Sequence, residues 1–463
     1  MLKIREDKCA RSREKMVVYR KLLFRIPFDG KAAPYMKFNG IKCELNKNAS
    51  FVEGRDKMGL VGSEACTLVL PPRYLPLQGT IMFWLKPLED LRVSSSKTIV
   101  PIIKSKNGKS QVNGINISLE VANQIALRVS FGSDTYKSYG YTHLKKNKAY
   151  HFAVTWDALL GRIDLYLYGI HQDSFQTETW HADEMPVKLK LGSDKVVLED
   201  LRFYSGKLSG NEIREIIGFR PKERIEDEGI IVYEESIDTS AFHKELIYEQ
   251  KDSLSDWILE GPGEVWVEKG SIYMQSKLPD TKKGHFVLWN KNDFPSDFLA
   301  EWDFSPLRNR GLCIVFFCAK GRNGEDIFDK NLAPRDGTFS QYHSGDINNY
   351  HISYFRNYRS VSGRCNMRKN RGFYLVSVGR DPIPPIGRGT YHIQLLKYKN
   401  IIQFGIDGKL VIKFVDDGKT YGPVLGEGKI GFRQMDSTKA KYSNFKVYRI
   451  RRKDAISDET HLS

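Results

Sequence analysis

The sequence predicts an all-β protein made of two β-sandwich (jelly-roll) domains in tandem, and three observations predict it. Apolar runs of strand length recur along the chain, punctuated by Gly, Asp and Asn, with almost no helical periodicity. At 463 residues the chain exceeds what one core supports, because domains usually hold roughly 100–200 residues. The order of elements in the first half then returns in the second. Aromatic residues, at 12%, suit sheet packing and also supply stacking faces for sugars.

In the first half, strands are expected at 79–87, 117–121, 125–131, 151–156, 162–168 and 198–204. Strict alternation in 162–168 predicts a strand with one wet face. A short helix follows over 209–217, with Ser209 as N-cap and Glu212 three residues on. Residues 219–230 are charged and poor in apolar side chains, which marks a linker. In the second half, strands at 391–397 and 401–406 lead to Asp407-Gly408, a strong hairpin signal, and then to 409–414, 428–432 and 442–448. The expected organisation is a basic leader at 1–20, one sandwich at 21–218, the linker, a second sandwich at 231–450 and a polar tail at 451–463.

The net charge of +16 draws the chain toward anionic partners without choosing among them. Residues 1–23 hold eight Lys/Arg and three Asp/Glu and no apolar stretch of signal-peptide length. No apolar run of membrane-spanning length occurs either, so a cytoplasmic protein without a membrane partner is expected. Cys9, Cys43, Cys66, Cys313, Cys318 and Cys365 form no CxxC pair or metal-ligand spacing, and no cofactor is expected. A structural Ca²⁺ is common in this type of fold, yet no tight acidic cluster argues for one. Phosphate-cradling loops, a nucleophile elbow and nucleic-acid motifs are absent, so no nucleic-acid partner is expected.

The segment 151–168, closed by 198–204, resembles the end of a laminin-G or concanavalin-A-like lectin domain. In the second half, EWDF at 301–304, GLCI at 311–314, AKGRNGEDIFD at 319–329, YHSGDIN at 342–348, YHISYFR at 350–356 and YGPVLGEGKIGFRQ at 421–434 together resemble the YesU-like family. That resemblance spans about residues 245–450 and implies a concanavalin-like fold and a polysaccharide-related role, without one settled activity.

The densest polar stretch is 341–371, with six Lys/Arg against a single acid, Asp346. Read as strands, Asn349, His351 and Asn357 share one face, and Arg364, Asn366 and Arg368 share a face on the next strand. Tyr354 and Arg356 fall on the opposite side, with a core-like pattern unless a bulge re-aims them. A uronate undergoing elimination needs its carboxylate neutralised, a task for bidentate Arg, and a base to take the adjacent proton. The expectation is an open, cationic groove that takes an acidic oligosaccharide. In it His351 is the base and His343 or Tyr354 the acid, Arg356, Arg364 and Arg368 clamp the carboxylate, and Asn348, Asn349, Asn357 and Asn366 meet hydroxyls. The competing readings are a lectin-like binder without turnover and a glycoside hydrolase. The latter is disfavoured because Glu325 and Asp326 sit in a turn-forming segment.

Overall fold

The computed structural model describes residues 22–30, 35–36, 41–71, 76–105, 115–131, 134–141, 143–176, 187–219, 236–357, 363–384 and 388–453. The chain divides into two compact units, Met1–Ile225 and Glu226–Ser463. The leader and most of the expected linker and tail lie outside the described residues, as does Cys9.

Among the described residues, the first unit holds a nine-stranded and a seven-stranded antiparallel sheet. The expected strands are present as Gln78–Pro87, Ile115–Val121, Ile125–Phe131, Tyr150–Asp157, Arg162–Leu167 and Val196–Ser205. Val196–Ser205 lies between Gln78–Pro87 and Leu22–Ile26, so the last strand of this unit is central in its sheet. Trp156 packs on Phe203 at 5.5 Å, while its indole N–H donates to the Pro76 carbonyl at 3.0 Å. A Cβ on Gly79 would stand 2.2 Å from the Trp156 ring, which explains the glycine there.

The helix forms at Gly210–Ile217 with the expected capping box: Ser209 and Glu212 exchange side-chain-to-backbone bonds, and Gly218 closes the end at φ 68°. It also corrects one expectation. The wet face predicted for Arg162–Leu167 is dry, because Tyr166, Met82, Ala153 and Tyr204 pack against Leu208 and Ile213 from the helix side. Asp164 on that face is 1% exposed, and Arg162, His171, Ser174 and Lys207 surround its carboxylate. Alternation identified the strand but could not show that a helix would cover its polar side.

The second unit contains an eight-stranded and a seven-stranded sheet. Trp302, Phe304 and Phe445 from the first sheet and Tyr354 and Phe432 from the second meet in one apolar core. Phe432 stacks on Tyr442 at 4.7 Å and meets Trp302 edge-on at 5.3 Å. Asp407 and Gly408 take φ 52° and 76°, the double left-handed turn expected of Asp-Gly, between Ile401–Ile406 and Lys409–Val415. The long strand Lys439–Arg452 pairs with Ser271–Ser276, Phe298–Pro306 and Phe242–Glu249, and is central in turn. No helix among the described residues is long and apolar enough to cross a membrane.

Candidate functional site

The predicted cluster lies on the seven-stranded sheet. Its strands in chain order are β1 (Trp257–Glu260), β2 (Phe286–Asn290), β3 (Gly311–Gly321), β4 (Ile347–Asn357), β5 (Arg364–Asn370), β6 (Tyr374–Arg380) and β7 (Lys429–Gln434), and they lie in the order β1-β2-β7-β3-β4-β5-β6. Antiparallel register sets His351 opposite Arg368 and Ser353 opposite Asn366. Tyr350, Ile352 and Tyr354 of β4, with Cys365 and Met367 of β5, enter the inter-sheet core. Asn349, His351, Arg364, Asn366 and Arg368 therefore share the other face, as alternation requires.

That face is covered, not open. The segment after β3 crosses it and carries the short helix Ser340–His343. Ile327 and Tyr342 from this segment join Val287, Trp289, Ile314 and Phe316 of the sheet in a second apolar cluster. Glu260 anchors the crossing: it accepts from Arg335 at 2.6 Å, from the Trp289 indole at 3.0 Å and from the Tyr342 hydroxyl at 2.9 Å. Arg433 donates to the Gly337 carbonyl at 2.7 Å and to His285 Nδ1 at 3.1 Å, leaving His285 Nε2–H to face Asp436 at 3.1 Å.

The open groove expected around His351 is thus corrected. His351 is 2% exposed, with its ring among Phe316, Phe339 and Phe373 at 5.5–6.0 Å, and burial holds its pKa well below the usual histidine value. The Asn370 amide donates to His351 Nδ1 at 2.8 Å and to Asn349 at 2.7 Å, and Asn349 donates to the Tyr342 carbonyl. Tyr354 is fully buried between the sheets, where burial drives its phenol pKa up, so it reaches no substrate on either face.

Arg364, Asn366 and Arg368 are also buried, at 1–5% exposure. Arg368 donates to the Phe373 carbonyl at 2.7 Å with its guanidinium 3.8 Å from the Phe373 ring. Asn348, half-buried, donates to the Arg322 carbonyl at 3.4 Å. Arg356 is half-buried beside Asp381, whose carboxyl burial raises to about 6, and the Asn357 side chain lies outside the described residues. His343 stays partly accessible on the rim, its ring 4.3 Å from Phe373, with its pKa lowered to about 4 by burial and then by Arg368 and Arg433. The cations legible in the sequence are largely built into the interior.

The open polar face lies instead on the eight-stranded sheet. Along Phe298–Pro306, Trp302 and Phe304 point into the core, so Glu301 and Asp303 point outward. Register sets Asp303 opposite His392 and Glu301 opposite Gln394 on one neighbour, and Glu301 opposite Lys446 on the other. Asp303 accepts from the Asn444 amide at 2.7 Å and lies 2.9 Å from His392 Nδ1, while Glu301 accepts from Gln394 at 2.7 Å. His392 Nε2 is 3.9 Å from Glu301, so one imidazole stands between both carboxylates. The side chains of His392, Asp303 and Glu301 are 45%, 24% and 17% exposed. Tyr273 lies two strands from Asp303 and Trp266 three, roughly 10 and 15 Å across the sheet at ordinary strand spacing, and their half-buried rings stack at 5.2 Å and 8°. Trp257, Trp289 and Trp302, by contrast, are core residues.

Sequence reasoning missed this group because its partners are 89–141 residues apart in the chain. The available signal was the spacing Glu301-x-Asp303, which on a strand puts both carboxylates on one face.

Residues 243–447 match the model of a family described as a domain of unknown function (DUF1961), and residues 67–214 match one described as the concanavalin A-like lectin/glucanases superfamily. The uncharacterized protein YesU of Bacillus subtilis (strain 168) is 44% identical over 203 residues, which is 43% of this chain and 91% of that protein. A crystal structure of a Bacillus subtilis protein of unknown function with a galectin-like fold is 41% identical, covering 46% of this chain and 100% of that one, with a TM-score of 0.43. A carbohydrate-binding module of the same organism, CBM66, is 17% identical, covering 42% and 94% of the two chains, with a TM-score of 0.28.

Proposed function

The chain belongs, through its C-terminal half, to the family of the Bacillus subtilis protein YesU, and from that premise we propose that it binds a neutral oligosaccharide on the open face of the eight-stranded sheet. The observation that carries the reading is the partly exposed Glu301–His392–Asp303–Asn444 constellation on the same sheet as the Trp266–Tyr273 stack. Sugar hydroxyls are paired donors and acceptors. Carboxylates accept from them in charge-assisted bonds, amides serve both roles, and an aromatic stack meets the apolar face of a pyranose. The match of residues 67–214 to a lectin/glucanase superfamily supports a sugar ligand.

The acidic sugar expected from the basic run loses its support once those arginines turn inward, and Glu301 and Asp303 would repel a uronate. Elimination loses its base in the same way, since His351 is sealed under Phe339 and Phe373. Binding without turnover is therefore the reading adopted.

Calorimetric titration of the full chain with neutral and uronic oligosaccharides tests it. Asp303→Asn is expected to weaken the neutral ligand by about tenfold or more, the worth of one charge-assisted hydrogen bond, with an unchanged melting temperature. Equal affinity in the variant, a preference for uronic chains, or an ultraviolet chromophore appearing on incubation would each overturn the reading.

A further inference from the structure

In the first unit, Cys43 on the strand Lys42–Leu45 and Cys66 on Cys66–Leu70 hold their thiols 2.8 Å apart. Leu45 lies opposite Cys66 and Cys43 opposite Leu68, so the two cysteines are diagonal neighbours on one face of an antiparallel pair. Lys42–Leu45 is the outermost strand of its sheet. Cys66 is fully buried and Cys43 only half-buried, so Cys43 is the more accessible of the two. We propose that Cys43 and Cys66 form a peroxide-responsive dithiol, with Cys43 as the attacking sulfur and Cys66 as the resolving one.

The chemistry balances with hydrogen peroxide as oxidant. The Cys43 thiolate attacks one peroxide oxygen, the O–O bond breaks, and the departing hydroxide takes a proton to leave as water. The sulfenic acid formed on Cys43 is then attacked by the Cys66 sulfur. Its S–O bond breaks, and hydroxide leaves as a second water with the Cys66 proton. Two thiols lose two electrons, and one peroxide becomes two waters.

The direction of attack follows from the surroundings. The hydrogen bond from Cys66 lowers the Cys43 thiol pKa, against opposition from burial and Glu44, while that same bond and burial raise Cys66. Cys313, Cys318 and Cys365 are 0–3% exposed, with thiol pKa values driven up by burial, and serve as internal controls.

The test treats the full chain with hydrogen peroxide, quenches with catalase, alkylates the remaining thiols and maps non-reduced tryptic peptides. The expected result is a cross-link between residues 43–47 and 58–73 that has lost the mass of two hydrogen atoms and disappears with dithiothreitol. In Cys66→Ser, a sulfenic acid on Cys43 is expected to be trapped by dimedone. In Cys43→Ser, Cys66 is expected to stay reduced. Cys43 and Cys66 alkylated to the same extent with and without peroxide would overturn the proposal, as would dimedone capture on Cys66 in the Cys43 variant.

Discussion

His343 on the rim, His351 beneath it and, in the first unit, His151 share one electrostatic consequence. Burial is the leading cause in each case and lowers the pKa, to about 4 for His343 and about 3 for His151. An unfolded chain titrates these rings near 6.5, so unfolding takes up protons between that value and the folded ones. Stability is thus fully present above about pH 6.5 and is lost as pH falls toward 4. Denaturant unfolding followed from pH 7 to pH 4.5 should show that fall, and His351→Asn should make it shallower. A slope identical to wild type would refute the assignment. The burial itself was half legible. Period-two alternation sorted Tyr354 from His351 correctly, but nothing in 322–346, which has no periodic pattern, announced that this segment would lie over His351. Glu325 and Asp326 were readable for a simpler reason: each accepts from a backbone N–H two residues away, through Asn323 and Phe328, as turn acids do.

At the scale of elements, the crossing over the seven-stranded sheet is held by the Glu260 network as well as by its apolar cluster. Glu260 at the end of β1 joins the sheet to Arg335 and Tyr342 of the crossing, and the Arg335 side chain is only 6% exposed. Removing one partner of a buried pair leaves the other charge uncompensated, at about 3–5 kcal/mol. Glu260→Ala should lower stability by that order in denaturant titration and raise proteolysis within 322–346. His351, buried beneath the crossing, should become open to diethylpyrocarbonate. Protection equal to wild type would show that the apolar cluster holds the crossing without the ion pair. The hairpin at Asp407-Gly408 and the helix cap at Ser209 were legible because each is a local rule met by adjacent residues. The open face was not, because it is assembled from the separate strands Phe298–Pro306, Tyr391–Tyr398 and Lys439–Arg452.

For the whole molecule, the tandem all-β plan could be read from strand spacing, while the choice of which sheet stays uncovered could not. Each unit has its own pair of sheets, and the Bacillus subtilis relative matches only the second. A fragment of residues 226–463 should therefore unfold in one cooperative transition and keep the sugar affinity of the full chain. A fragment that aggregates or melts without cooperativity would show that the second core needs the first.

Val196–Ser205 and Lys439–Arg452, each the last strand of its unit among the described residues, both sit in the middle of their sheets. During synthesis, neither sandwich can complete its hydrogen-bond ladder until that strand clears the ribosomal exit tunnel. The first unit can then finish while the second is still being translated. For most of its time on the ribosome, the second unit exposes the edges that Lys439–Arg452 will fill. Nascent-chain aggregation and chaperone demand should be greatest in that interval.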